Sequence, residues 1–171
     1  IHKRLEKVRR QRNQGRRARQ RADIPTVSLV GYTNAGKSTL FNRITTSSVY
    51  AADQLFATLD PTTRRLRLPT NQNVLLSDTV GFIRKLPHDL VDAFKATLEE
   101  VVEADLLLHV VDISSLHAEE QIEAVNQVLG ELGVADKPML MVFNKIDRVT
   151  APGLAKRYTT EYENSIVVSA K

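Results

Sequence analysis

The chain of 171 residues is long enough for one domain with its own core, and its 42% hydrophobic content is that of an ordinary globular protein. The absence of cysteine excludes disulfides and thiolate zinc sites, and no run approaches the ~20 apolar residues needed to span a bilayer. The net charge of +4 conceals an asymmetry: residues 1–25 hold ten Lys/Arg against Glu6 and Asp23, whereas the remainder holds 14 against 18 acids. With no signal-peptide pattern, the cytoplasm is the simplest location. The first residue, Ile1, and a last residue placed just after a predicted strand read as the ends of an excised piece.

Residues 1–23 are the first predicted unit, a basic helical arm. Helix formers dominate, but Ile1, Leu5 and Val8 are its main apolar residues, so such a helix buries little on its own. Gly15 weakens the continuation by about 1 kcal/mol. So many cations repel one another unless a polyanion is near, which makes Arg9, Arg10, Arg12, Arg16, Arg17 and Arg19 candidate contacts for a nucleic-acid backbone. A solvated linker is the alternative, and no aromatic residue is interleaved to stack on bases.

Residues 24–171 are the second unit. Ile24–Val30 includes a β-prone run ending at Gly31-Tyr32-Thr33-Asn34-Ala35-Gly36-Lys37-Ser38, which fits G-x-x-x-x-G-K-[ST] without mismatch. Thr39 to Ile44 continues with helix-compatible spacing. The pattern predicts a phosphate-binding loop: its glycines let the backbone curl so that N–H groups point inward, and the following helix aims its positive end at the phosphates. Lys37 would reach the β- and γ-phosphates, and the Ser38 hydroxyl would ligate Mg²⁺.

The stretch from Thr45 to Thr63 has no period and is a candidate functional loop. Arg64–Leu68 alternates polar and apolar, Asn73–Asp78 is a short apolar run, and Pro69–Gln72 between them is a turn, so an antiparallel pair is expected. The second strand runs into Asp78-Thr79-Val80-Gly81, forty residues beyond Ser38. An acid there suits a magnesium anchor, and Gly81 lets its N–H approach a terminal phosphate.

A helix is predicted from Pro87 to about Val102, with Leu90, Val91, Phe94, Leu98 and Val101 on one face. Asp105–Asp112 is nearly all apolar, as for a parallel strand covered on both sides, and His109 within it is read as a satisfied core residue rather than a ligand. His117–Leu132 is a second amphipathic helix, with Ile122, Val125, Val128 and Leu129 inward and Gly133 as its stop. Pro138–Phe143 is a buried strand, a weaker helix is expected from about Ala151 to Tyr162, and Ser165–Val168 is the last strand. Alternating strands and helices give an open α/β sheet whose ligands belong at the carboxyl ends of its strands.

Asn144-Lys145-Ile146-Asp147 follows one such strand. A carboxylate at Asp147 accepts from guanine N1–H and the exocyclic amine together, whereas adenine offers an acceptor at N1 and no amine on that edge. Lys145 is expected along the base plane, Asn144 is expected to tie this loop to the phosphate loop, and within Ser169-Ala170-Lys171 the Ala170 N–H could meet guanine O6. A helix-capping turn is the alternative for N-K-x-D.

Together these motifs resemble the translation-factor-related GTPases over residues 24–171. Asn34, Phe56-Ala57-Thr58-Leu59-Asp60-Pro61-Thr62-Thr63-Arg64 and Asp78-Thr79-Val80-Gly81-Phe82-Ile83 are similar to the HflX branch of the Obg–HflX group. The resemblance implies a three-layer, Ras-like P-loop domain with a mostly parallel sheet and one antiparallel edge strand. It implies a cytoplasmic, monomeric GTPase that exchanges GTP and GDP, docks on the large ribosomal subunit, contacts its rRNA rather than DNA, and acts in ribosome splitting or recycling under stress. Residues 1–23 would then be the end of an absent amino-terminal domain, and 24–171 a GTPase domain without its closing helix.

Carried over residue by residue, the resemblance adds Phe56, Ala57 and Thr58 to the GTP contacts. It assigns magnesium to Ser38 and Thr58 directly and to Asp78 through water, and makes Asn34, Lys37, Thr58 and Gly81 the catalytic set. Ras-like proteins place Gln directly after D-x-x-G, but here Phe82 stands there and cannot hydrogen-bond, so slow intrinsic hydrolysis is expected. A substitute group would come from the partner or from the 45–63 loop. Similarity to potassium-activated GTPases at Asn34 makes K⁺ a candidate ion beside the β/γ bridge, with a hydrogen bond inside the loop as the alternative. Two other classes stay open: a P-loop ATPase or small-molecule kinase, and a GTP-dependent RNA-binding module with incidental hydrolysis.

Overall fold

The computed structural model describes residues 24–45, 62–79 and 98–171, with Glu6, Lys7 and Arg10 of the basic arm. Along the chain come β1 (Thr26–Gly31), α1 (Lys37–Thr45), β2 (Thr62–Arg67), β3 (Asn73–Asp78), β4 (Leu106–Asp112), α2 (Ala118–Glu131), β5 (Met139–Asn144), α3 (Leu154–Glu161) and β6 (Ser165–Val167). The strands form one sheet in the order β2-β3-β1-β4-β5-β6. Every neighbouring pair is parallel except β2 and β3, which run antiparallel at the edge. The α/β sheet with one antiparallel edge strand matches the expectation from the sequence.

Helices cover both faces, which explains why the central strands read as nearly unbroken apolar runs. On one face Leu29, Leu76, Val110 and Val142 pack with Leu40 and Phe41 of α1. On the other, Val30 and Leu107 pack with Val101 and with Val125 and Leu129 of α2. Burying each such side chain contributes about 1.5–3 kcal/mol. α2 follows its spacing closely: Ala118, Ile122, Val125 and Leu129 are buried, and Glu119 and Glu120 sit in the first turn where the helix dipole favours acids. Val134 N–H reaches back to the Leu129 carbonyl at 3.0 Å and closes the helix after Gly133.

Three expectations need correction. α3 begins at Leu154 rather than Ala151, because Gly153 sits in the left-handed region at φ +77° and the first helical bond runs from Arg157 N to Gly153 O. β6 is a strand of three residues ending at Val167. His109 is a core residue, 1% exposed, but it is not satisfied: its Nδ1 has no hydrogen-bond partner. Burial lowers its pKa to about 4, and the nearby Lys37 charge adds to the effect, so the imidazole is neutral.

Of the helix expected from Pro87, residues 98–103 are described and helical, with Val101 buried; Leu90, Val91 and Phe94 lie outside the described residues. Glu6, Lys7 and Arg10 are helical and exposed, whereas Arg9, Arg12, Arg16, Arg17 and Arg19 lie outside the described residues.

Candidate functional site

The candidate residues converge at the carboxyl edge of the sheet. β1 ends in Gly31, β3 in Asp78, β4 in Asp112 and β5 in Asn144, and the register pairs Gly31 with Val110 and Asp112 with Asn144. Loops leaving these ends are therefore neighbours, although residues that bond between them lie 109 and 111 positions apart in sequence.

The phosphate loop lies between β1 and α1. Ala35 N–H bonds the Tyr32 carbonyl at 3.2 Å, and Leu40 N–H bonds Gly36 O at 2.9 Å, so α1 starts directly from the loop. The two glycines have different tasks. Gly36 adopts φ +97°, and a Cβ there would stand 2.3 Å from Asn144 Nδ2. Gly31 is still a strand residue; its Cβ would stand 2.4 Å from the Val110 carbonyl oxygen, so it serves strand contact as much as loop curvature.

Lys37 is 5% exposed and donates from Nζ to the Tyr32 carbonyl at 3.3 Å. Burial lowers its pKa to about 8, opposed by the Asp78 carboxylate. Bound phosphates would supply the anionic partner that this buried ammonium otherwise takes from a carbonyl. Ser38 Oγ donates to Asp78 Oδ2 at 2.6 Å, so the hydroxyl and carboxylate expected to hold magnesium are adjacent. Asp78 is fully buried and its Oδ1 takes no hydrogen bond. A hydroxyl beside a buried carboxylate is the oxygen donor set that Mg²⁺ prefers, and the pair fits that ion. Thr79 is committed elsewhere, its hydroxyl donating to the Leu29 carbonyl of β1. Thr33 is buried, while Asn34 and Thr39 are exposed.

The Asn144–Asp147 loop is cross-tied to the phosphate loop. Asn144 Nδ2 donates to the Ala35 carbonyl at 3.1 Å, as expected, and its Oδ1 accepts from Ala170 N–H at 3.0 Å. The amide expected to meet guanine O6 is thus bonded to Asn144 here. Lys145 sits in the left-handed region at φ +65°; its Nζ donates to the Asn34 carbonyl at 2.9 Å and pairs with Asp112 Oδ2 at 3.1 Å. Asn34 itself is at φ +64° and is tied through its carbonyl. Ile146 is half-buried. Asp147 is exposed, and the Ser169 hydroxyl donating to it at 2.8 Å is the main cause holding its carboxyl below the usual range, helped by Lys171 and Arg148. Asp147 is thus exposed and charged, with its Oδ1 positioned by Ser169.

Asp112 was missed from the sequence. Its Oδ1 also accepts from Ser114 N–H at 3.0 Å and from Ser114 Oγ at 2.5 Å, so the carboxylate is oriented before it meets Lys145. The signal was present: an acid closing a buried strand, the feature that singled out Asp78. Phe56, Ala57, Thr58, Val80, Gly81 and Phe82 lie outside the described residues.

Residues 26–145 match the sequence profile of the family described as 50S ribosome-binding GTPase. Curated proteins named GTPase HflX are similar: 64% identical over 147 residues in Escherichia coli K12, covering 86% of this chain and 34% of that protein. Another, from Lacrimispora saccharolytica, is 51% identical over 167 residues, covering 98% of this chain and 39% of the relative. The chain thus spans little more than a third of the length of these relatives. A GTP-binding protein from Sulfolobus solfataricus solved with GDP superposes with a TM-score of 0.67 at 31% identity, covering 95% of this chain and 52% of that one. Era from Aquifex aeolicus bound to GDP·AlF4⁻ shares the fold, with a TM-score of 0.68 at 22% identity over 86% of this chain and 51% of that one.

Proposed function

The chain belongs to the 50S ribosome-binding GTPase family, in its HflX group, and on that premise we propose that it binds GTP and Mg²⁺, hydrolyses GTP slowly alone, and turns over faster on the large ribosomal subunit. The observation that carries the guanine part is the Asn144-to-Asp147 loop, with Asp147 oriented by Ser169 and Asn144 bonded to Ala35. A carboxylate so placed pairs with guanine and would be buried unpaired against adenine, a costly mismatch.

Magnesium, when bound, neutralises charge on the β- and γ-phosphates. Ser38 and Thr58 would hold it directly and Asp78 through a water. Lys37 brings a buried ammonium to the same phosphates, and the loop amides from Gly36 to Ser38 would orient them. Asn34 stands at the loop position where K⁺ would assist, and Phe82 leaves orientation of the attacking water to a partner group or to the 45–63 loop. Residues 1–23 act as an arm toward rRNA, and the domain 24–171 works as a cytoplasmic monomer in ribosome splitting or recycling under stress.

Multiple-turnover hydrolysis with and without purified large subunits, in K⁺ and in Na⁺, tests this. Stimulation by the particle is expected; GTP bound tightly but turned over at the same rate with and without it would leave a GTP-dependent RNA-binding module instead. A higher rate in K⁺ than in Na⁺ is expected if Asn34 recruits the ion.

A further inference from the structure

Among the described residues the sheet ends in two edge strands, β2 and β6, and the β2 edge is basic. Arg64, Arg65 and Arg67 are all exposed, and residues 62–77 contain no acid. No carboxylate among the described residues pairs with any of the three. Elsewhere the domain is acidic: without this hairpin, residues 26–171 hold 11 Lys/Arg against 18 Asp/Glu.

The register fixes how these cations are displayed. Arg64 stands opposite Leu76, on the α1 face, while Arg65 opposite Leu75 and Arg67 opposite Asn73 share the other face about 7 Å apart along the strand. Thr63 bonds Ser77 across the pair at 2.9 Å, and Arg67 Nη2 donates to Asn71 Oδ1 at 3.2 Å, so the strand is held from both ends. The turn itself is closed by Leu68 N–H to Gln72 O at 2.8 Å.

Charge on an open edge also discourages aggregation, but single charges of either sign suffice for that. Three cations in four residues repel one another, and the repulsion is relieved by an anion lattice. We infer that the β2–β3 hairpin is a second phosphate-binding surface, an RNA-backbone contact separate from the nucleotide site and from the basic arm. Contacts of this kind are sequence-tolerant, and their strength falls with salt as counterions are no longer released to advantage. The choice of RNA as the polyanion rests on the ribosomal role proposed above.

The test is fluorescence anisotropy of a labelled RNA stem-loop with the 171-residue chain across about 50 to 200 mM KCl. The variant Arg64→Glu/Arg65→Glu/Arg67→Glu should bind at least about ten-fold more weakly at 100 mM, and the slope of log K against log salt should shrink by about 2 to 3. Arg→Lys at the same positions should keep the salt slope, because the slope counts charges. Unchanged GDP affinity and melting temperature confirm that the variant is folded. Wild-type slope in the charge-reversed variant would overturn the inference while leaving the ribosomal role standing. No RNA binding by the wild-type chain would overturn both. Loss of binding to phosphatidylserine vesicles with RNA binding intact would reassign the hairpin to a membrane surface.

Discussion

On the function proposed above, guanine recognition would depend on two carboxylates, Asp147 meeting the base and Asp112 acting through Lys145. Asp147→Asn should weaken GTP binding by about 1.5–3 kcal/mol, the range for a hydrogen bond to a charged group, and should improve binding of xanthosine triphosphate, whose 2-oxo group accepts from an amide. Isothermal titration with both nucleotides checks the exchange. Asp112→Asn removes the charge that pairs with Lys145 Nζ at 3.1 Å. It should weaken GDP binding roughly 3- to 30-fold, and in a double-mutant cycle with Lys145→Ala the two losses should not add. Additive losses would mean that Asp112 does not work through Lys145.

His109 makes a prediction about pH. Its folded pKa is about 4 against an ordinary 6.5, so between these values the unfolded chain holds a proton that the fold rejects. The resulting stability is present in full above pH 6.5 and is lost as pH falls toward 4, by up to about 3 kcal/mol. Urea unfolding at pH 7 and pH 4.5 should show the loss, and His109→Leu should reduce it. An unchanged pH slope in the variant would place the acid sensitivity elsewhere.

At the scale of elements, the sequence announced the strand–loop–helix unit but did not separate its two glycines. Both are fixed by the motif, and only the packing distinguishes them. Gly31→Ala drives a Cβ into the Val110 carbonyl and should cost fold stability of about 1–3 kcal/mol, read in thermal melts. Gly36→Ala places its Cβ at a positive φ against the Asn144 amide that ties the two loops, so nucleotide affinity should fall further than stability. The elements themselves were legible because buried strands are apolar throughout and helices carry a periodic stripe. β3 was bounded to the residue by Asn73 and Asp78, whereas α3 was placed three residues early because the left-handed Gly153 that starts it carries no periodic signal. The Asn144 bond to Ala170 was not legible, since no spacing rule says which of two acceptors an amide will choose.

At the scale of the molecule, the topology brings four separated strand ends to one edge. Parallel order places Gly31, Asp78, Asp112 and Asn144 at the same end of the sheet, and hydrogen bonds spanning 109 and 111 positions lock the base loop to the phosphate loop. Opening one loop therefore disturbs the other, and on the proposed function base identity would be coupled to phosphate grip. The charge distribution is set at this scale too, with cations gathered in the arm and on β2 and acids over the rest of the domain. Composition gave the first of these; the second needed the sheet order, because only an edge strand displays its charges to a partner.

The most direct test is equilibrium displacement of labelled GDP from the 171-residue chain in Mg²⁺ by unlabelled nucleotides. Unlabelled GTP should displace the label at comparable concentration, and ATP should fail even at about thousand-fold excess, as expected when the mismatched base leaves a buried carboxylate unpaired. Displacement by ATP at the same concentration as GTP would contradict the account.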